Sequence, residues 1–184
     1  MTTKPRLLFG IHGPAGSGKT TMAKELIGAL LNHGNANHTI LPFAKPVKDV
    51  ARSMGWNGIK DEKGRRLLQL IGTECGRECI DWDIWVNWWL AEFNEFMDLA
   101  GLTTRRSIVI ADDIRFENEA GCIKTLGGTL IKIKGRGEPS EHASEQPLPD
   151  EMFDVIFWND HGIDVLTEWC AREIRRSLEE KTGV

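Results

Sequence analysis

Apolar positions along the chain fall into short continuous runs that alternate with stretches of three- and four-residue periodicity. Residues 6–11 form the first run and predict a buried strand, followed by a glycine-rich turn over 12–18. Helical periodicity spans 19–31, with Met22, Ala23, Leu26, Ile27 and Leu30 on one side. A polar turn over 32–37 leads to a second strand at 38–42 and a helix over 43–54, with Pro46 near its start. A loop over 55–64 precedes a helix over 65–79, which Gly72 and Gly76 weaken. The clearest amphipathic segment is 81–99, where Asp81 is the expected cap and Trp82, Trp85, Val86, Trp89, Phe93, Phe96 and Met97 share a stripe. The β-branched run 107–111, ending at Asp112, predicts a core strand. A helix over 114–126, strands at 129–134 and 154–158, a polar excursion over 135–149 and a closing helix over 163–179 complete the pattern. Buried strands alternating with helices predict an α/β fold, a mainly parallel five-stranded sheet with helices on both faces.

Composition narrows the class without naming a function. A length of 184 residues with 41% hydrophobic and 27% charged residues suits one globular domain that needs no disulfide or metal staple. The net charge of -4 disfavours a broad basic face for polymeric nucleic acid, while leaving room for a local cationic cleft. No run approaches the length of a membrane span, and nothing resembles a secretory leader, so a cytoplasmic location is expected. Cys75, Cys79, Cys122 and Cys170 lack metal-ligand spacing and read as buried or inert thiols.

The strongest chemical signal is Gly13-Pro14-Ala15-Gly16-Ser17-Gly18-Lys19-Thr20, set between a strand and a helix. It matches the G-x-x-x-x-G-K-[ST] phosphate-binding loop in full. Such a backbone must curl around phosphate oxygens with its N–H groups inward, which is why Gly13, Gly16 and Gly18 alternate with the small Ala15 and Ser17. Lys19 supplies a mobile charge toward the β and γ phosphates and Thr20 a hydroxyl for Mg²⁺. The motif selects a triphosphate over a dinucleotide, with ATP expected and GTP left open. The acceptor is a separate question, because many P-loop proteins share this loop.

Four further segments carry a resemblance: 43–48, 68–77, 112–120 and 142–145. With the phosphate-binding loop, the chain resembles the deoxynucleoside monophosphate kinases encoded by tailed bacteriophages, within the wider nucleoside monophosphate kinase group of P-loop proteins. The resemblance implies a three-layer α/β/α domain over 1–184, an acceptor-binding region at about 43–100 and a small lid at about 135–148. It implies transfer of the γ-phosphoryl group of ATP to a deoxynucleoside monophosphate with Mg²⁺ and leaves a homodimer open; the charge balance and the short apolar runs lead us to expect no polymeric nucleic acid and no membrane partner.

A monophosphate acceptor needs cations beyond Lys19. Arg77 and Arg115 are the candidates, since guanidinium forks match phosphate oxygens, although Arg77 also has Glu74 and Glu78 as local partners. Phe43, Lys45 and Lys48 belong to the segment that the resemblance places over the acceptor, with solvated helix charges as the plain reading of the two lysines. Asp112 at the strand end is the preferred Mg²⁺ carboxylate, with Asp113 able to replace it or to cap the next helix. Phe116 is a candidate base-stacking ring or a core residue, and Glu119 or Asn118 a candidate reader of the base edge. Glu74 either accepts from base or sugar or orients Arg77. The resemblance sets Asp81 and Trp85 beside the acceptor base, against core packing for the tryptophan stripe. In the excursion, Arg136 is expected to reach donor phosphates and His142 to organise a closed loop. Asn159 lies where related kinases run close to the donor base, or is a plain turn residue. The same residues also suit a small-molecule kinase acting on a coenzyme precursor or a non-enzymatic nucleotide-binding switch.

Overall fold

The computed structural model describes residues 6–137 and 148–182. Five parallel strands form one sheet in the order β2-β3-β1-β4-β5, where β1 is Arg6–His12, β2 Ala36–Ile40, β3 Arg106–Ile114, β4 Thr129–Lys134 and β5 Val155–Trp158. The chain leaves β1 toward β2 on one side, returns through β3, and crosses to β4 and β5 on the other. Connections therefore diverge between β1 and β3, and a ligand crevice opens at the carboxyl ends of those strands.

Both sheet faces are covered, which explains why β1 is apolar at consecutive positions instead of alternating. Leu7, Phe9 and Ile11 join Ile108, Ile110 and Ile131 under α1 (Lys19–Leu31) and α6 (Ile163–Thr182). On the opposite face Leu8, Val109, Ala111 and Leu130 pack under α4 (Ile84–Gly101) and α5 (Glu117–Thr125). Trp89 is central there: its ring stacks between Phe43 and Phe93, at centroid separations of 4.8 and 5.1 Å, and its Nε1 donates to the Leu41 carbonyl at 2.8 Å. A satellite core of Val47, Ala51, Ile71 and Trp85 binds together α2 (Lys45–Ser53), α3 (Glu62–Gln69) and the segment that follows. No helix among the described residues is long and apolar enough to cross a membrane.

Several boundaries depart from the sequence pattern for identifiable reasons. β2 lies two residues earlier than expected, because Ala36 to Ile40 pair with Arg106 to Ile110 and Pro42 has no N–H to extend the ladder. α3 starts inside the expected loop, since Asp61 caps it by accepting from the Gly64 N–H at 2.8 Å. Beyond Gln69 the chain widens into a π-helical segment, Leu70–Glu78, where a continuous α-helix was expected. The Trp85 indole donates to the Gly72 carbonyl at 2.7 Å, and a Cβ on Gly76 would come within 2.5 Å of the same ring, so the widened turn is seated against Trp85. α4 begins at Ile84 and not at the expected Asp81, which is spent on a turn, its carboxylate accepting from the Asp83 N–H at 3.0 Å. β3 runs on to Ile114, because its pairing with β1 resumes at His12 beyond a register shift, so Asp112 and Asp113 sit within the strand instead of after it. Cys170 is buried as expected, whereas Cys75 and Cys79 are exposed.

Candidate active site

The phosphate-binding loop occupies the carboxyl end of β1. Gly16 and Gly18 have φ of +77° and +97°, in the left-handed region open to glycine, and α1 springs directly from Gly18. A Cβ on Gly13 would lie 2.8 Å from the Ser17 hydroxyl and 2.9 Å from the Ile133 carbonyl. The Ser17 hydroxyl is buried and has no hydrogen-bond partner among the described residues. A buried orphan hydroxyl is costly unless a ligand completes it, so the cradle fits an anion. Lys19 curls back over the loop, donating to the carbonyls of Gly13 and Pro14 at 2.6 and 2.7 Å. Asn159, expected beside the donor base, braces the loop from behind: its side-chain amide donates to the Ser17 carbonyl at 2.8 Å. Ala15 is exposed at the loop crest.

Asp112 and Asp113 point in opposite directions because successive residues of a strand face opposite sides of the sheet. The Thr20 hydroxyl donates to Asp112 Oδ2 at 2.7 Å, so hydroxyl and carboxylate share the site at the start of α1. This oxygen pair suits a hard divalent cation such as Mg²⁺. Asp113 instead accepts from the backbone N–H groups of Phe43 and Ala44 at 2.7 and 3.0 Å and pins the β2–α2 turn to β3. Its carboxyl pKa is raised, first by lost hydration and also by the Asp112 charge, against the lowering effect of those two donors.

A cavity of about 620 Å³ opens beside the loop between the ends of β1, β3 and β4. Lys19, Arg115, Lys132, Lys134 and Arg136 line it, with Asp150 the one acidic lining residue among the described residues. Lys132 is buried; its ammonium bonds the Leu148 carbonyl and Asp150 Oδ1, while Lys134 takes Asp150 Oδ2. His12, also on the wall, bonds the Ile114 carbonyl through Nδ1 at 2.9 Å. Burial holds its pKa below the usual histidine value, and Lys132, Lys19 and Arg115 push the same way. A neutral ring whose Nδ1–H donates to that carbonyl presents Nε2 as an acceptor.

A second cationic region lies over the acceptor side. Lys60, in the loop before α3, has its ammonium pKa lowered by partial desolvation and then by the charges of Lys48, Arg115 and Arg65. Lys48, Arg115 and Arg65, from three other segments, therefore lie within electrostatic range of Lys60, as does the Asp113 carboxyl. Arg115 belongs to both regions, within electrostatic reach of Lys60 on one side and of His12 on the other.

The remaining expected acceptor residues are distributed differently. Arg77 is not open to the cavity: its side chain is 1% exposed, and Nη2 meets Glu119 Oε1 at 2.6 Å. Its guanidinium carbon stands 4.0 Å from the centre of the Phe116 ring, and Nη1 donates to the Trp82 carbonyl at 2.8 Å. Burial lowers the Arg77 pKa against the attraction of Glu119. Glu119 is likewise buried, its pKa raised to about 7 by desolvation despite Arg77. Glu74, expected to orient Arg77 or to reach the base or sugar, pairs instead with Arg66 at 3.0 Å on the surface. Phe43 and Trp85 are core residues, 2% and 4% exposed. Lys45 is held at 2.5 Å by Glu92 across to α4, and that contact raises its pKa. Asp81 is exposed beside the turn into α4. Arg136 reaches the cavity wall, and His142 lies outside the described residues, as does most of the expected lid.

Sequence reasoning passed over Lys132, Lys134, His12 and Lys60. A signal for the first two was present: lysines at alternate positions of a buried parallel strand are anomalous unless something anionic meets them. Lys60 had none, since its significance comes from neighbours supplied by other elements.

Three comparisons with known proteins found similarities. The family model for deoxynucleotide monophosphate kinase matches residues 56–169. A protein of Acanthamoeba polyphaga mimivirus, provisionally named a deoxynucleotide monophosphate kinase, is 29% identical over 185 aligned positions, covering 86% of this chain and 91% of that one. The crystal structure of shikimate kinase from Aquifex aeolicus is similar with a TM-score of 0.41 and 14% identity, covering 96% of this chain and 98% of that one.

Proposed function

The chain belongs to the deoxynucleotide monophosphate kinase family, and from that premise we propose how its residues divide the work of phosphoryl transfer. The protein is a phosphotransferase acting on a deoxynucleoside monophosphate. In our reading ATP is the donor and a deoxynucleoside diphosphate and ADP are the products. The loop of Gly13 to Thr20 binds the donor phosphates through backbone N–H groups, the Ser17 hydroxyl and Lys19. Support comes from the orphan Ser17 hydroxyl and from Gly13 and Gly18, where a Cβ would meet Ser17 or Asn159 at 2.8 Å. Thr20 and Asp112 would hold Mg²⁺, and their 2.7 Å contact favours that pairing over Asp113. Mg²⁺, when bound, neutralises charge on the phosphoryl oxygens.

The acceptor phosphate is assigned to Lys48, Lys60 and Arg65 with Arg115. Its oxygen is already an anionic nucleophile, so no general base is required and catalysis is positioning plus charge stabilisation. Lys132 and Lys134 add positive potential to the cavity wall, and Arg136 faces the same space. The observation that carries this reading is the location of Arg115. Arg115 lines the cavity together with Lys19 and lies within electrostatic range of Lys60, which is where a group in transit between two phosphates needs compensation.

Purified protein with ATP and Mg²⁺ is to be offered each ribo- and deoxyribonucleoside monophosphate in turn, with Lys19→Ala and Arg115→Ala alongside. Diphosphate formation from deoxynucleotides, reduced about a hundredfold or more in both variants, is expected. Conversion unchanged in Arg115→Ala would overturn the assignment of the transfer cation.

A further inference from the structure

We propose that Glu119, backed by Arg77, is a positioning residue that sets where the Arg115 guanidinium stands between the two phosphate regions. The inference rests on the reading of Arg115 given above and deepens it.

The two oxygens of Glu119 do different things. Oε1 faces Arg77 Nη2 at 2.6 Å, and Oε2 accepts from the backbone N–H of Arg115 at 2.7 Å and of Phe116 at 3.2 Å. The carboxylate thus ties the junction of β3 and α5 to the π-helical segment. Arg115 is the first residue after β3 and Phe116 the residue before α5, so these two N–H groups belong to neither ladder nor helix. Without an acceptor at this point, nothing in the secondary structure fixes the backbone that carries the Arg115 side chain.

Arg77 holds Glu119 in turn. Its guanidinium is fastened to the Trp82 carbonyl at 2.8 Å and to Asn118 Oδ1 at 3.3 Å, and it lies over the Phe116 ring. The pair is nearly solvent-free, with side chains 1% and 4% exposed. A buried pair of this kind is weak evidence for a stabilising role, because desolvation offsets the attraction. What it does supply is geometry: a rigid acceptor at one defined spot, anchored to the acceptor-side helices. The same contacts withdraw Arg77 from the ligand, so this arginine acts through Arg115 and does not touch phosphate.

The test compares Arg77→Met/Glu119→Gln with Arg77→Met/Glu119→Leu in the full chain. Both doubles remove the charges together, so neither leaves an unpaired buried ion. Only glutamine retains an oxygen for the Arg115 and Phe116 N–H groups. We expect kcat in the leucine double at least about tenfold below the glutamine double, with KM for ATP in both within about twofold of the parent. The Arg115 amide should exchange with solvent about tenfold faster in the leucine double. Glu119→Asp keeps the charge but withdraws the carboxylate by one methylene; it should show the same selective kcat loss, and it carries the comparison if the leucine double does not fold. Equal kcat in both doubles and an unimpaired Glu119→Asp, with Arg115→Ala inactive, would overturn the proposal and leave the Arg115 reading intact. An active Arg115→Ala would overturn both, starting with the reading on which the proposal rests.

Discussion

Replacing Asp113 by alanine asks whether this carboxylate serves a substrate or the fold. Its two oxygens accept the N–H groups of Phe43 and Ala44 at 2.7 and 3.0 Å, the residues that lead into α2. Hydrogen bonds to an ionised group contribute roughly 1.5–3 kcal/mol each, so the two are worth about 3–6 kcal/mol gross. The raised pKa of Asp113 signals that holding the ionised form here is itself unfavourable, which offsets part of that sum. A net loss of about 2–4 kcal/mol is expected for Asp113→Ala. For a chain of this size, 1 kcal/mol moves Tm by roughly 2–4 °C, so the melting temperature should fall by about 4–16 °C. Urea unfolding followed by tryptophan fluorescence is the assay, with the slope m unchanged if only the folded state is affected. Acceptor KM should rise as well, because Lys48 is carried on the helix that this staple orients. A Tm within about 1 °C of the parent, together with a large rise in acceptor KM, would refute the reasoning and make Asp113 a ligand contact.

Three other outcomes follow from the same geometry. Gly18→Ala forces a Cβ into φ of +97° and to within 2.8 Å of the Asn159 amide nitrogen; ATP affinity measured by calorimetry should fall at least about tenfold, and an unchanged Kd would contradict the cradle. Lys132→Met removes a buried ammonium from the cavity wall and should raise KM for ATP about tenfold over the parent, a ratio that shrinks at high salt; a KM insensitive to the change would separate Lys132 from the donor. His12 has a depressed pKa, so its unprotonated form favours folding above pH 6.5, and that contribution is lost as pH falls through the lower folded value. The urea midpoint should therefore drop more between pH 7 and pH 5 in the parent than in His12→Gln, and parallel curves would show that His12 does not titrate in this window.

Much of the architecture was readable from local pattern. α1 and β4 coincide with their expected bounds, because an amphipathic helix following a glycine turn and a β-branched run need no distant information to be recognised. Boundaries failed where a partner decided them: β3 is lengthened by pairing with His12, and the π-helical segment is shaped by Trp85, which lies at least seven residues farther along. The phosphate-binding loop was legible because its chemistry is carried by eight consecutive residues. The acceptor side was legible only as a collection of charged residues. Arg77 and Glu119 are 42 positions apart, and no spacing rule pairs them, so Arg77 read as a phosphate clamp when its guanidinium is occupied inside the protein.

The sequence by itself determined that the chain folds around a parallel sheet and that it offers a phosphate-binding loop. These properties follow from periodicity and from a contiguous motif, which are local. Tertiary structure decided the rest: that Asp112 meets Thr20 while its neighbour holds a turn, and that Lys60 joins Lys48 and Arg115. Strand alternation turns adjacent aspartates to opposite faces. Sheet order brings together side chains whose positions along the chain say nothing of their distance. Burial then determines which charges remain available to a ligand and which are consumed by one another.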